Sequence, residues 1–287
     1  MNHTETNNDK HFPMKMLFWF LVIAFTLSGC EAKTDWPLQT AIQDFIVVDA
    51  TITDEIKIQT IHLSHPLDHL NDIPVPVKDA AINITLPEAV YRFHESPENP
   101  GTYVSDIEFA GKKNKIHSLL ITIGSKVYSA KAKMDPGGVI PPLNYALDKV
   151  TRLYHITKVY NNGFNPERPA MFEILLDWSQ VPGYRDADPG LCKSRLLYYV
   201  LPTLDVSQVF APAVEKVNFP SGTKIVEKRY SLTPEHAEFI RELLSETTWQ
   251  GGLFNSAPAN IPTNLSQGAV GYFGACAVTS RTEVAKP

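Results

Sequence analysis

Three of the chain's nine histidines fall in one short stretch, IHLSHPLDH: His62, His65 and His69. Imidazole is the commonest transition-metal ligand, so this cluster is the first candidate for chemistry, as the centre of a metal-dependent hydrolase. The element that carries it argues the other way. On a strand, Ile61 and Leu63 point to one face and His62 with Ser64 to the other, which starts His65 on the face opposite His62. Pro66 then ends the strand, and His69 falls in the loop PLDHLNDIPVPV, where only Asp68 or Asp72 stands near as a further ligand. The ligands would have to converge through a turn. The stretch therefore reads as a strand end running into an exposed loop, with metal binding the lesser alternative.

Other candidate chemistry is weaker. YRDADPGLC places Asp186 and Asp188 at a D-x-D spacing, and two carboxylates that close could share a calcium ion. Calcium wants six to eight oxygens and the rest of a calcium loop is absent, so a solvated turn is the reading. Glu95 and Glu98, beside and within SPENPG, read as surface charge on a turn. No G-x-S-x-G, H-E-x-x-H, Walker, G-x-G-x-x-G or kinase motif occurs. Gly268, Gly271 and Gly274 recur in GAVGYFG, an apolar terminal strand where glycine serves close strand packing rather than a phosphate cradle. The aromatics of LLYYV and RLYHITKVY suit core packing better than a sugar-binding groove. No catalytic residue and no cofactor is expected, and the expected protein is not an enzyme.

The first thirty residues set the expected address. A polar start with Lys10 and Lys15 leads into the apolar run Met16–Leu27, too short to span a bilayer but suited to the h-region of a secretory signal. It ends in Leu27-Ser28-Gly29-Cys30, which resembles the lipobox of bacterial lipoproteins. That resemblance implies cleavage before Cys30, a diacylglycerol on its sulfur and acylation of the new amino terminus. Residues 1–29 form the signal peptide on this reading, and Glu31 and Asp35 just after Cys30 are a weak signal for sorting to the cell surface. The net charge of −5, without a basic run, argues against nucleic acid. An exported compartment permits a disulfide between Cys192 and Cys276. It would close a loop of about 85 residues, for which chain entropy gives roughly 4–5 kcal/mol. Two buried thiols is the equal alternative, since Cys276 sits in the apolar GYFGACAV.

The elements follow from pattern. Residues 30–43 read as a tether. From 44 to 134, runs rich in Val, Ile, Thr and Tyr (DFIVVDATITD, IKIQTIHLS, AAINITL, VYRFHE, GTYVSDIEF, KIHSLLITI, KVYSAKAKM) alternate with turns, the pattern of an Ig-like β-sandwich. Gly101 permits a tight turn, Tyr103 packs across a strand pair, and Gly124-Ser125 closes a hairpin. In KVYSAKAKM, Lys126, Tyr128 and Ala130 share one face and Val127, Ser129 and Lys131 the other, as at a sandwich edge. DPGGVIPPLN makes 135–145 a linker. Residues 146–287 are a second β-rich domain with one α-helix, TPEHAEFIRELLSET, capped by Thr233 with Pro234 in the first turn. Its apolar stripe is Ala237, Ile240, Leu243 and Leu244, with Phe239 beside it. The expected fold is mostly β.

The order of these pieces is familiar. The lipobox, FIVVDATITDE, VPVKDAAINIT, NPGTYVSD, ITIGSKVYSAKAKM, SLTPEHAEFIREL, GGLFNSAPANIPTN and GYFGA together resemble the domain-of-unknown-function 4249 family of outer-membrane lipoproteins. The likeness covers essentially the whole chain after Cys30, although Lys193 stands where the family usually has a tryptophan after the cysteine. The N-terminal part also resembles the carboxypeptidase regulatory-like, transthyretin-like sandwich. The resemblance implies an accessory or ligand-capture lipoprotein held to the outer membrane through Cys30 and working with a TonB-dependent β-barrel transporter. It leaves open the ligand, a small molecule or peptide, and the face of the membrane. A structural or adhesive surface lipoprotein is the alternative.

Overall fold

The computed structural model describes residues 45–67, 72–159, 168–201, 216–247 and 261–286. Residues 1–44, which hold Cys30 and the stretches expected as signal peptide and tether, lie outside the described residues, as do Asp68 and His69. Among the described residues the fold is mostly β, with several sheets and one α-helix. No helix among the described residues is long and apolar enough to cross a membrane.

The first nine strands are β1 (Ile46–Thr53), β2 (Thr60–Ser64), β3 (Ala81–Leu86), β4 (Ala89–Glu95), β5 (Thr102–Ser105), β6 (Ile116–Ile123), β7 (Lys126–Lys133), β8 (Asn144–Leu147) and β9 (Tyr154–Lys158). After them come β10 (Ala170–Asp177), β11 (Lys193–Val200), β12 (Lys224–Ser231), the helix α1 (Pro234–Thr247), β13 (Ala269–Cys276) and β14 (Val278–Val284). An eight-stranded sheet runs in the order β13-β1-β2-β5-β4-β3-β6-β7. Every pairing in it is antiparallel except β1 with β13, which is parallel in the register Ile46 to Ala269 through Thr53 to Cys276.

Two-residue alternation gives this sheet its inside. Ile46, Val48, Ala50 and Ile52 of β1 are buried, as are Ile61 and Leu63 of β2, Ile82 and Ile84 of β3, and Leu119 and Ile121 of β6. Their apolar area, removed from water at about 25 cal/mol per Å², holds the sheet together. The sheet also curls until its edges meet. Asn264 Nδ2 donates to Lys131 O of β7 at 3.0 Å and to Phe273 O of β13 at 2.8 Å, while Phe273 N–H donates to Asn264 Oδ1 at 3.0 Å. Ser266 N–H donates to Ser129 O beside it. These bonds occupy backbone groups that two open edges would leave unpaired.

Each rim of the curled sheet is latched by a polar side chain. At the rim where Phe45 leads into β1, here the lower rim, the Glu95 carboxylate accepts N–H groups of Gly101 at 2.9 Å and Asp79 at 3.1 Å. Beside it the fully buried Tyr103 hydroxyl donates to Val77 O at 2.9 Å and accepts from Ala80 N–H at 3.1 Å. Gly101 has φ +77, and a Cβ there would fall 2.7 Å from Leu63 O, so the turn needs glycine. At the upper rim the buried Gln59 amide donates to Phe109 O at 2.9 Å, and its oxygen accepts Thr53 N–H at 3.1 Å.

The second sheet, β11-β10-β12-β14, is antiparallel throughout, and the β8–β9 ribbon packs on one of its faces. The course of the chain over 146–287 is not confined to it. β13 joins the first sheet, and after Ala277 alone β14 continues into the second. Asp54 Oδ1 accepts Val278 N–H at 2.6 Å at this crossover, and Lys228 Nζ donates to Glu55 at 2.7 Å nearby. The linker segment is packed rather than free, since Thr279 donates to Gly138 O at 2.8 Å and Gly138 lies against the Arg229 guanidinium. Of the two alternatives for the cysteines, the structure has free thiols. Cys192 is buried with Phe172 and Trp178, and Cys276 is buried with Leu232 and Ala237, in separate apolar clusters.

Candidate functional site

The histidines of the opening stretch do not assemble. Ile61 and Leu63 face the core, and His62 sits on the outer face with Nδ1 3.2 Å from Thr102 Oγ1. His65 lies just past β2, exposed, its backbone N–H donating to Val75 O at 2.8 Å. Among the described residues no group of three His, Cys, Asp or Glu side chains is placed to hold a metal ion. Asp188 and Asp186 lie on an exposed turn, and Asp188 Oδ1 caps the short 3₁₀ turn Pro189–Cys192 by accepting Gly190 N–H at 2.8 Å. Capping is a complete account of that carboxylate. The described tyrosines of the aromatic runs join apolar clusters: Tyr154 packs with Tyr145 and Phe219, Tyr198 beside them, and Tyr199 under the helix, while Tyr160 lies outside the described residues. Glu95, expected as loose surface charge, is instead the latch of the lower rim, and its two backbone donors hold its carboxyl below the usual range.

Among the described residues, a concave feature lies where α1 crosses the outer face of β13. Thr233 caps the helix, its Oγ1 accepting His236 N–H at 3.3 Å, and Ala237 buries completely against Leu232 and Cys276. This orientation lays His236 and Phe239 on Tyr272 of β13, with ring centroids 4.6 Å and 4.9 Å apart and near-parallel planes. Gly274 makes the approach possible, because a Cβ there would lie 2.5 Å from His236 Cε1. Below the ring stack a groove of about 960 Å³ runs between the helix and β1. Phe45, Val47, Phe239, Leu243, Ile261 and Val270 make it mostly apolar, and Asp49 supplies a carboxylate on one wall. A second cavity of about 370 Å³ shares His236 and Tyr272, and its lining includes Lys131, Lys133, Asp135 and Glu235.

His236 and Cys276 form the one thiol–imidazole pair in this region, with Nδ1 3.8 Å from Sγ. Nucleophilic catalysis needs the thiolate. Burial does the opposite to both groups, pushing the Cys276 thiol up to about 12 and the imidazole down to about 4. The pair is neutral across the physiological range and packs as a structural contact. The groove is therefore suited to holding an apolar or amphipathic group, with the aromatic stack as a flat wall.

The sequence carried a signal for this groove. FIVV at the start of β1 is a continuous apolar run, and Val47 and Val270 continue it on the outer face where alternation alone calls for polar residues. Such a run marks a strand covered on both sides. The helix supplies part of that cover, and the groove is the remainder.

No curated protein matches the chain. Residues 33–282 match the family described as Domain of unknown function (DUF4249), and since that span takes in nearly all of the chain, this protein belongs to the DUF4249 family.

Proposed function

We propose that the protein is a non-enzymatic lipoprotein of the outer membrane, anchored through acylated Cys30, that captures a ligand or assists a TonB-dependent transporter. The observation that carries the reading is the groove of about 960 Å³ under the His236–Tyr272–Phe239 stack. It is an apolar, preformed recess of the size that small-molecule and peptide sites have, beside a pair whose thiol and imidazole are held neutral. The export signal and lipobox at residues 1–30 supply the address, and the resemblance to outer-membrane lipoproteins supplies the transporter.

Gentle detergent extraction of outer membranes followed by affinity purification tests both. The expected result is a large β-barrel co-purifying with the protein, and a Val270→Trp variant that fills the groove while leaving that complex intact but lowering ligand uptake. Migration of the protein alone under conditions that preserve other membrane complexes would sink the transporter reading.

A further inference from the structure

The segment Pro136 to Gly138 lies beside the second sheet, and with Arg168, Pro169 and Arg229 it encloses a cavity of about 300 Å³. Two guanidinium groups therefore line one small recess. Arg229, on β12, is 7 % exposed, and arginine is almost never buried so far without a paired charge. Its surroundings fix it in place. Thr279 Oγ1 donates to Gly138 O at 2.8 Å, which sets that peptide so close to the guanidinium that a Cβ on Gly138 would lie 2.5 Å from Cζ. Ser231 N–H donates to Ala277 O at 3.0 Å, and Ser231 Oγ accepts from Arg229 Nη1 at 2.8 Å. Leu232 N–H donates to Pro169 O at 3.1 Å and holds the entry to β10, with the exposed Arg168, against the same wall.

Among the described residues no carboxylate pairs with Arg229. A guanidinium carries five N–H donors, and burying its charge is costly unless an anion faces it. Asp135 is also on the cavity wall, but it is ion-paired with Lys133 at 3.0 Å. Glu227, two positions earlier on the same face, has no hydrogen-bond partner on either oxygen, and burial holds it toward the protonated form. The Phe172 ring, 6.0 Å from Cζ, stands at the outer limit of a cation–π contact. Burial, and after it the like charge of Arg168, pull the Arg229 pKa below its ordinary value. The fold thus brings a second cation to the first and sets no protein anion between them.

We infer that this cavity binds the oxyanion of a small molecule, a carboxylate or a phosphate, between the guanidinium groups of Arg229 and Arg168. Either anion matches the planar fork of a guanidinium. The volume is at the small end of the range for ligand sites, and Pro136, Pro169 and Leu232 supply an apolar wall for a compact body behind the charged group. A bound anion joins the Pro136–Gly138 segment to the second sheet. The site shares no lining residue with the groove under α1, and the inference needs nothing from residues 1–30.

The test takes the full chain in non-ionic detergent at fixed ionic strength and titrates it with benzoate, phenyl phosphate and, as an uncharged match, benzamide. The expected result is a saturable rise in thermal midpoint with one or both anions and none with benzamide. Benzoate alone assigns a carboxylate and phenyl phosphate alone a phosphate, and either supports the site. Arg168→Ala, a change at an exposed side chain, should weaken the calorimetric Kd about tenfold or more. Arg229→Met should abolish saturation, since it removes the buried charge and keeps an apolar side chain in its place. Arg185→Ala, which takes an equal charge from an exposed turn, should leave the Kd unchanged. So should Val270→Trp, which fills the groove; a response lost in that variant belongs to the groove and overturns the inference. No saturable response to either anion, an equal response to benzamide, or a Kd indifferent to Arg168→Ala also overturns it, and each leaves the groove reading standing.

Discussion

The inward face of the eight-stranded sheet is set by Ile52, Ile61, Ile84 and Phe273, each fully buried, whereas the face of the four-stranded sheet that holds Phe172 and Ile174 also holds Glu227 and Arg229. The register makes the contrast concrete. Ile174 pairs with Glu227 and Phe172 with Arg229, and Glu227 pairs in turn with Arg281, so β10 is apolar where β12 and β14 are charged on the same face. Arg229 donates to Ser231 at 2.8 Å. Glu227 has no such partner: it is 2 % exposed, neither carboxylate oxygen has a hydrogen-bond partner, and Arg281 is engaged by Glu283. Burial pushes its carboxyl up to about 7, against the pull of Arg281 and with the repulsion of Glu283. The inward face of the first sheet is held mainly by area removed from water, which is indifferent to pH, with the buried His117 and the Glu95 latch as its pH-sensitive members. The second buries a carboxyl that its surroundings push toward the protonated form.

Breaking the first sheet has the largest expected effect. Gly271 sits within β13 at φ +97, and a Cβ there would lie 2.2 Å from Val48 O. Gly271→Ala should destabilise the protein by about 3 kcal/mol or more, read as a fall in thermal or urea midpoint, since strain and a backbone clash coincide. A loss under about 0.5 kcal/mol would mean that the parallel β1–β13 contact adjusts freely.

The second sheet is probed through its proton. The folded pKa of Glu227, about 7, lies above its ordinary 4.5. Its contribution is therefore fully present below pH 4.5 and is lost as pH rises through 7. On the order of 2–3 kcal/mol should disappear across that window. Glu227→Gln, an isostere of the protonated acid, should match the wild type at pH 5 and exceed it at pH 8. Parallel stability curves for the two proteins over this range would show that Glu227 ionises without cost.

The seam gives the smallest effect and sharpens the comparison. Asn264→Ala removes three hydrogen bonds between β7 and β13 while leaving both strands paired on their other sides, so about 1–2 kcal/mol should be lost. Hydrogen exchange should quicken at the Phe273 amide and stay unchanged in β10. Equal protection at Phe273 in both proteins would make Asn264 a bystander to closure.

Much of this was legible because local chemistry is strong where it acts. The alternation of IHLS put Ile61 and Leu63 inside and His62 outside, Thr233 and Pro234 marked the helix start, and the faces of β7 followed Tyr128 and Ala130, all of which the structure reproduces. Each of those depends on a few neighbouring residues and the two- or 3.6-residue period. The family, too, was readable from the order of turn and strand motifs over 33–282.

Other features depend on which distant segments meet. TKIVEKRYSL alternates equally well in both senses, and only the arrival of β10 and β14 on either side puts Glu227 and Arg229 on the face of Phe172 and Ile174, and Lys228 and Tyr230 on the opposite face, where Tyr230 packs under the helix. That the terminal segment GAVGYFGAC would lie parallel to FIVVDATIT, more than two hundred residues earlier, has no local signature, because a parallel pairing is joined by no turn. The groove exists only because that pairing and the helix cross there. Sequence determined the strands, the helix and the inward side of most of them. The tertiary structure decided which strand faces meet, and with them a carboxylate that holds its proton and a recess beside Tyr272.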